Sequence, residues 1–138
     1  MAEKQQTLKE SIEFNGVGLH TGKPVKMIIK PAPANHWFKF KRVDLEGNPI
    51  ICADVDNVYS TKRGTSLKQN GAEVHTTEHV LAALYGMSVD NALIEVDGPE
   101  IPILDGSAQQ FVEAIRKAGL EEQDAEREYF ELSENLKY

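Results

Sequence analysis

Apolar and polar residues alternate along much of this chain, and twice the alternation gives way to helical spacing. In "TLKESIEF" Leu8, Ile12 and Phe14 fall on one face, which predicts a strand. "GVGLHTGK" is a glycine-rich turn, and "VKMIIK" is a second strand stopped by "PAPAN", because proline cannot donate to a ladder. "HWFKFKRV" places Phe38, Phe40 and Arg42 on one side as a third. The three together predict an antiparallel meander. "LEGNP" is a turn and "IICADVDNVYS" an extended piece. Asn70-Gly71 between the extended arms of "TSLKQNGAEVHT" is a two-residue hairpin signal. "NALIEVDG" is another strand, and "EIPIL" a short extended run whose proline suits an edge.

The helical spacing occurs near 76–86 and 107–118. In "VHTTEHVLAALYG" Thr76 can cap the helix, Val80, Leu81, Leu84 and Met87 form an apolar stripe, and Gly86 lies near the stop. In "DGSAQQFVEAIRKAGL" Ser107 and Gln110 have capping-box spacing, with Asp105 as the turn-former before the cap. Ala108, Phe111, Val112 and Ile115 then follow the helical period. Arg116 and Lys117 suit the negative end of the helix dipole, and Gly119-Leu120 suits a glycine stop. Strands under two one-sided helices predict an α+β fold, a two-layer sandwich of a mainly antiparallel sheet with both helices on one face.

Composition refines this picture. The chain has 138 residues, enough for one domain with one core, and 41% hydrophobic against 27% charged residues is an ordinary globular balance. No apolar run is long enough for a membrane span, and the N-terminus lacks an apolar signal region. A lone cysteine, Cys52, forms no internal disulfide, reads as a core thiol rather than a nucleophile, and suits a cytoplasmic chain. Of the net charge of −7, residues 121–138 carry −5. The body is therefore mildly acidic, with no basic stripe for nucleic acid. Residues 1–120 read as the domain and 121–138 as an acidic connector, within which "EYFEL" has the pattern of a short strand.

The candidate chemistry lies at Glu78 and His79. Neighbouring residues on a helix diverge by ~100°, so the two side chains do not chelate one ion as a pair. They can approach one reaction centre from two directions, Glu78 on a water's proton and His79 on a metal. In the first turn the dipole favours an ionised Glu78 and a neutral His79. Read alone, a first-turn glutamate is more often there for the dipole, and an isolated histidine is more often structural.

The order and spacing of "GVGLHTGKPV", "PAPA", "TTEHVLAALYG" and "DNALIEVDGPEIPILDGSAQQFV" change that weighting. Over residues 5–120 the chain resembles UDP-3-O-acyl-N-acetylglucosamine deacetylase, the zinc hydrolase of lipid A biosynthesis in Gram-negative bacteria. The acidic segment after Leu120 is similar to the connector of the Bacteroidetes-type form fused to a 3-hydroxyacyl-ACP dehydratase. The resemblance implies two domains of similar fold with the site between them. It makes His79 a zinc ligand and Glu78 the general base of amide hydrolysis. It puts the remaining zinc ligands, a His and an Asp in an H-x-x-x-D pattern, in a second domain along with a further histidine and lysine. No H-x-x-x-D contains His20, His36 or His75. The chain therefore reads as a first half, inactive alone, with its connector leading toward the second domain. The substrate would be UDP-3-O-acyl-N-acetylglucosamine.

By the same resemblance His20 lies at the mouth of the site. "TKRGT", Thr61 to Thr65, matches an insert bordering the substrate path. Lys62 and Arg63 meet the diphosphate or acyl side there, or else form an exposed basic loop; Thr65 shares the insert. Two rival readings stand beside this one. The chain could be a non-catalytic interaction or scaffold domain, or a self-sufficient metalloenzyme using His20, His75 and His79.

Overall fold

In a computed structural model of the protein, the described residues are 3–61 and 64–127. Five strands form the main sheet in the order β2–β3–β9–β4–β5. They are β2 (Ile12–Val17), β3 (Pro24–Pro31), β4 (Phe38–Arg42), β5 (Ile50–Cys52) and β9 (Ala92–Val96). Cross-strand partners share a face, so register shows where the core lies. One row runs Ile12, Ile29, Ile94, Phe40, Ile51 across all five strands. Every member except the half-buried Ile12 is fully buried. The next row on that face is Phe14, Met27, Val96 and Arg42.

Both helices cover that face. α1 (Glu78–Gly86) buries Val80, Ala83 and Leu84, and its Tyr85 ring meets Phe38 edge-on at 5.2 Å. α2 (Gln109–Ala118) buries Phe111 and Ile115, and Phe111 meets Phe14 edge-on at 5.0 Å. The expected α+β sandwich with two helices on one face is thus the observed one.

The meander is not. β2 and β3 form the expected antiparallel pair, but β9 sits between β3 and β4 and runs parallel to β4. "TLKESIEF" is also two strands. β1 (Lys4–Leu8) leaves the main sheet and pairs antiparallel with β10 (Leu120–Glu126). Residues expected to begin a solvated connector therefore remain in the fold through Glu126. A buried amide network holds them. Asn91 donates to Gln5 at 2.9 Å and to Gln123 at 2.7 Å, and accepts from the Trp37 N–H at 2.6 Å. Gln123 also donates to the Ala32 carbonyl, and Arg127 pairs with Asp90 at 2.9 Å. "EYFEL" lies outside the described residues.

A third, three-stranded sheet contains β6 (Val58–Ser60), β7 (Ser66–Gln69) and β8 (Ala72–Val74). The β7–β8 hairpin turns at Asn70 and Gly71, with φ 54° and 76°. These positive angles are what an Asn-Gly turn of the primed kind requires. Cys52 is half-buried at the end of β5.

Candidate functional site

The helix starts deliver the candidate residues. The expected capping box does not form: Ala108, not Ser107, holds the cap position of α2, Ser107 accepts only the Gln109 N–H from one residue earlier, and Gln110 reaches back to the Asp105 N–H. Thr76 does not cap α1. Its φ is 61°, unusual for a β-branched residue, and its hydroxyl donates to Glu100 Oε2 at 2.7 Å. Thr77 holds the cap position and donates its hydroxyl to the Thr65 carbonyl.

Glu78 opens α1, and its Oε1 accepts the Thr65 N–H at 3.0 Å. Its Oε2 takes no hydrogen bond among the described residues. The carboxylate fills the space where residue 64 would carry a side chain: a Cβ there would lie 2.7 Å from Oε2. With φ +83°, Gly64 is in the left-handed region that glycine tolerates. His79 follows, half-buried, near the Asp105 turn. The Ser107 N–H and hydroxyl hold the Asp105 carboxyl below its ordinary range, with a small contribution from His79.

Glu100 is 2% exposed and has four close contacts. Its oxygens accept the His20 N–H at 3.0 and 3.2 Å, the Thr21 N–H at 3.0 Å and the Thr76 hydroxyl. Burial pushes its pKa up. The Thr21, Thr76 and His20 hydrogen bonds and the His20 charge outweigh that, leaving the carboxyl below its ordinary range. His20 itself is exposed.

A pocket of about 340 Å³ opens between that turn and the β6–β8 sheet, lined by His20, Thr21, Tyr59, Ser60, Ser66, His75, Pro99 and Glu100. On its wall Ser66 Oγ lies 2.8 Å from His75 Nδ1, and Glu73 Oε1 lies 3.2 Å from His75 Nε2. Tyr59 donates to Glu73 at 2.7 Å. Partial burial, then the Glu73 carboxylate, pushes the Tyr59 hydroxyl up to about 12, and the Tyr59 bond draws the Glu73 carboxyl down.

Over residues 5–138 the chain matches the family model described as "LpxC: UDP-3-O-acyl N-acetylglycosamine deacetylase". The chain belongs to this deacetylase family. It is 50% identical over 135 residues to the bifunctional enzyme LpxC/FabZ of Bacteroides thetaiotaomicron and 52% over 134 residues to that of Porphyromonas gingivalis. These matches cover 98% and 97% of this chain and 29% of each relative. It is 46% identical over 127 residues to the UDP-3-O-acyl-N-acetylglucosamine deacetylase of Thermosynechococcus vestitus, covering 92% of this chain and 45% of that protein. The chain thus spans less than half the length of these relatives.

Within this member of the deacetylase family, Glu78 and Thr65 are in direct contact and His79 is adjacent. His20 belongs to a separate turn tied to α1 through Glu100 and Thr76. Lys62 and Arg63 lie outside the described residues. Among the described residues no group of three or more His, Cys, Asp or Glu side chains is arranged to hold a metal. His20, His75 and His79 therefore do not form the self-sufficient centre, and His79 fits a metal only as one nitrogen donor among others. Also among the described residues, no helix is long and apolar enough to cross a membrane. Sequence reasoning missed Glu100 and Gly64. An acid within the apolar run "PEIPIL" was the available signal for the first; nothing local marked the second.

Proposed function

We propose that this chain forms the first half of a zinc-dependent amidohydrolase. The whole enzyme removes the N-acetyl group of UDP-3-O-acyl-N-acetylglucosamine in lipid A biosynthesis, in the cytoplasm of a Gram-negative bacterium. Glu78 is the general base and His79 one metal ligand. The observation that carries this reading is the Glu78 carboxylate at the start of α1, with Oε1 oriented by the Thr65 N–H and Oε2 left without a partner among the described residues. Family membership and the names of the relatives support the substrate.

In this reading Oε2 takes a proton from the attacking water as the water oxygen bonds to the acetyl carbonyl carbon. The C–N bond then breaks as the proton held on Glu78 passes to the leaving nitrogen, giving acetate and the free amine. Zinc, when bound, supplies Lewis acidity at the carbonyl. A catalytic zinc takes about three protein ligands, so a second domain of the parent provides the others through its H-x-x-x-D pattern. Val17 and Leu19, 46% and 56% exposed next to His20, give that domain an apolar surface to cover. His20, Thr65, Lys62 and Arg63 border the substrate path. Residues beyond the described strand β10 lead to the second domain, and in a bifunctional parent a dehydratase follows.

The test is a pair of substitutions in the full-length parent. Glu78→Gln keeps zinc content and lowers the deacetylation rate by ~10²–10⁴. His79→Ala lowers both. A Glu78→Gln enzyme with full turnover removes the assigned base.

A further inference from the structure

We propose that Glu100 is a positioning residue for this site. Its buried carboxylate clamps the Gly18–Lys23 turn to Thr76, and through Thr76 it sets the path by which Glu78 and His79 enter α1. The inference rests on the reading of Glu78 as the base.

Three features converge on this role. The first is the number of segments joined at one carboxylate. The His20 and Thr21 N–H groups come from the turn, and the Thr76 hydroxyl comes from the residue two before Glu78. The fit is close on the turn side: a Cβ at Gly18 would overlap Glu100 Oε1, so a side chain at residue 18 would displace the acid. The second is the backbone at Thr76. A β-branched residue at φ 61° persists only where its surroundings over-determine it. The surroundings include the Glu100 bond and two strand-like bonds beside it, His75 N–H to the Pro99 carbonyl at 2.8 Å and Ile101 N–H to the His75 carbonyl at 3.2 Å.

The third is what lies downstream of Thr76. The Thr77 N–H and hydroxyl both reach the Thr65 carbonyl at 3.2 Å, and the Thr65 N–H in turn orients Glu78. The path from Glu100 to the base is therefore continuous: Glu100 to Thr76 by a hydrogen bond, Thr76 to Thr77 by the chain, Thr77 to Thr65 and Thr65 to Glu78 by hydrogen bonds. Without the clamp, Thr76 relaxes toward negative φ and turns the first residues of α1. Glu78 and Thr65 then lose their alignment. Displacements of about 1 Å at a reacting group cost up to ~10²-fold in rate.

The experiment uses the full-length parent and measures kcat and KM per folded molecule. Glu100→Ala removes the clamp, and Thr76→Val removes only the hydroxyl at nearly constant volume, which keeps the test informative where Glu100→Ala does not fold. Thr76→Val is expected to lower kcat by ~10- to 100-fold, with KM within about twofold of the parent. Thr76→Ser, which restores the hydroxyl, is expected to recover kcat to within about threefold. Parental kcat in Thr76→Val, equal impairment in the Ser and Val variants, or a loss confined to KM overturns the proposal. Glu78→Gln is measured alongside. Full turnover there overturns the reading of the base and the inference with it. A dead Glu78→Gln beside a fully active Thr76→Val overturns the positioning role alone.

Discussion

Replacing Asn91 by alanine tests how the acidic strand is held in the fold. The Asn91 side chain is fully buried and its amide uses both ends. The oxygen accepts from Trp37 N–H at 2.6 Å, and the nitrogen donates to Gln5 Oε1 at 2.9 Å and Gln123 Oε1 at 2.7 Å. Alanine removes all three bonds. Gln5 Oε1 keeps the Asn35 N–H at 2.8 Å, so it is not orphaned. The Trp37 N–H and Gln123 Oε1 lose these partners, and an unsatisfied buried group costs ~1–3 kcal/mol. Gln123 is half-buried, and water can partly replace its lost donor. The sum is then ~2–4 kcal/mol, a large share of a typical ~5–15 kcal/mol stability. With a urea m-value of ~1.5 kcal/mol/M, the midpoint falls by ~2 M. Asn91→Asp is expected to be no better, because it turns an acceptor toward two amide oxygens. The assay is urea unfolding of the 138-residue chain followed by circular dichroism. A midpoint shift below ~0.3 M for Asn91→Ala, or a well-tolerated Asp, would show that the network does not bind β10 to the domain.

Three further outcomes are expected. Gly64→Ala places a Cβ 2.7 Å from Glu78 Oε2 at a φ of +83°, so in the full-length parent kcat falls ~10-fold or more; unchanged kinetics would mean that residue 64 shifts without moving the Glu78 carboxylate. Phe111→Ala removes a 1% exposed ring stacked edge-on against Phe14 and costs ~3–5 kcal/mol, read as a lowered urea midpoint. The Asp44, Glu73, Glu100 and Asp105 carboxyls all lie below their ordinary values of 3.8 for Asp and 4.5 for Glu. Their contribution is thus complete above ~pH 4.5 and lost as pH falls through the lower folded-state values. Urea midpoints should be flat from neutral pH to about that point and then drop, and Glu100→Gln should make the drop shallower.

The alternation rule found the strands because their partners share faces, and Ile29, Ile94 and Phe40 are one row. It could not find their order. Whether β9 enters between β3 and β4 depends on pairings far apart in sequence. Leu8 and Ile12 have the same parity, so periodicity reads through Lys9–Ser11, where the chain passes from one sheet to another. β10 reads as solvated because none of its residues is fully buried; Leu120, Gln123 and Ala125 are only half-buried. Glu78 and His79 were legible as a local juxtaposition at a helix start. Glu100 and Asn91 were not, since a buried polar side chain is recognised by its partners, and theirs lie about eighty residues away in His20 and Gln5.

On the proposed reading, Glu78 and His79 form half of a site that this chain does not complete. Its most direct test is elemental analysis of the purified 138-residue chain, combined with a deacetylation assay on UDP-3-O-acyl-N-acetylglucosamine. A folded chain with far less than one zinc per molecule and no turnover is expected, because a single imidazole leaves zinc mostly to water. About one tightly held zinc per chain together with turnover would contradict it.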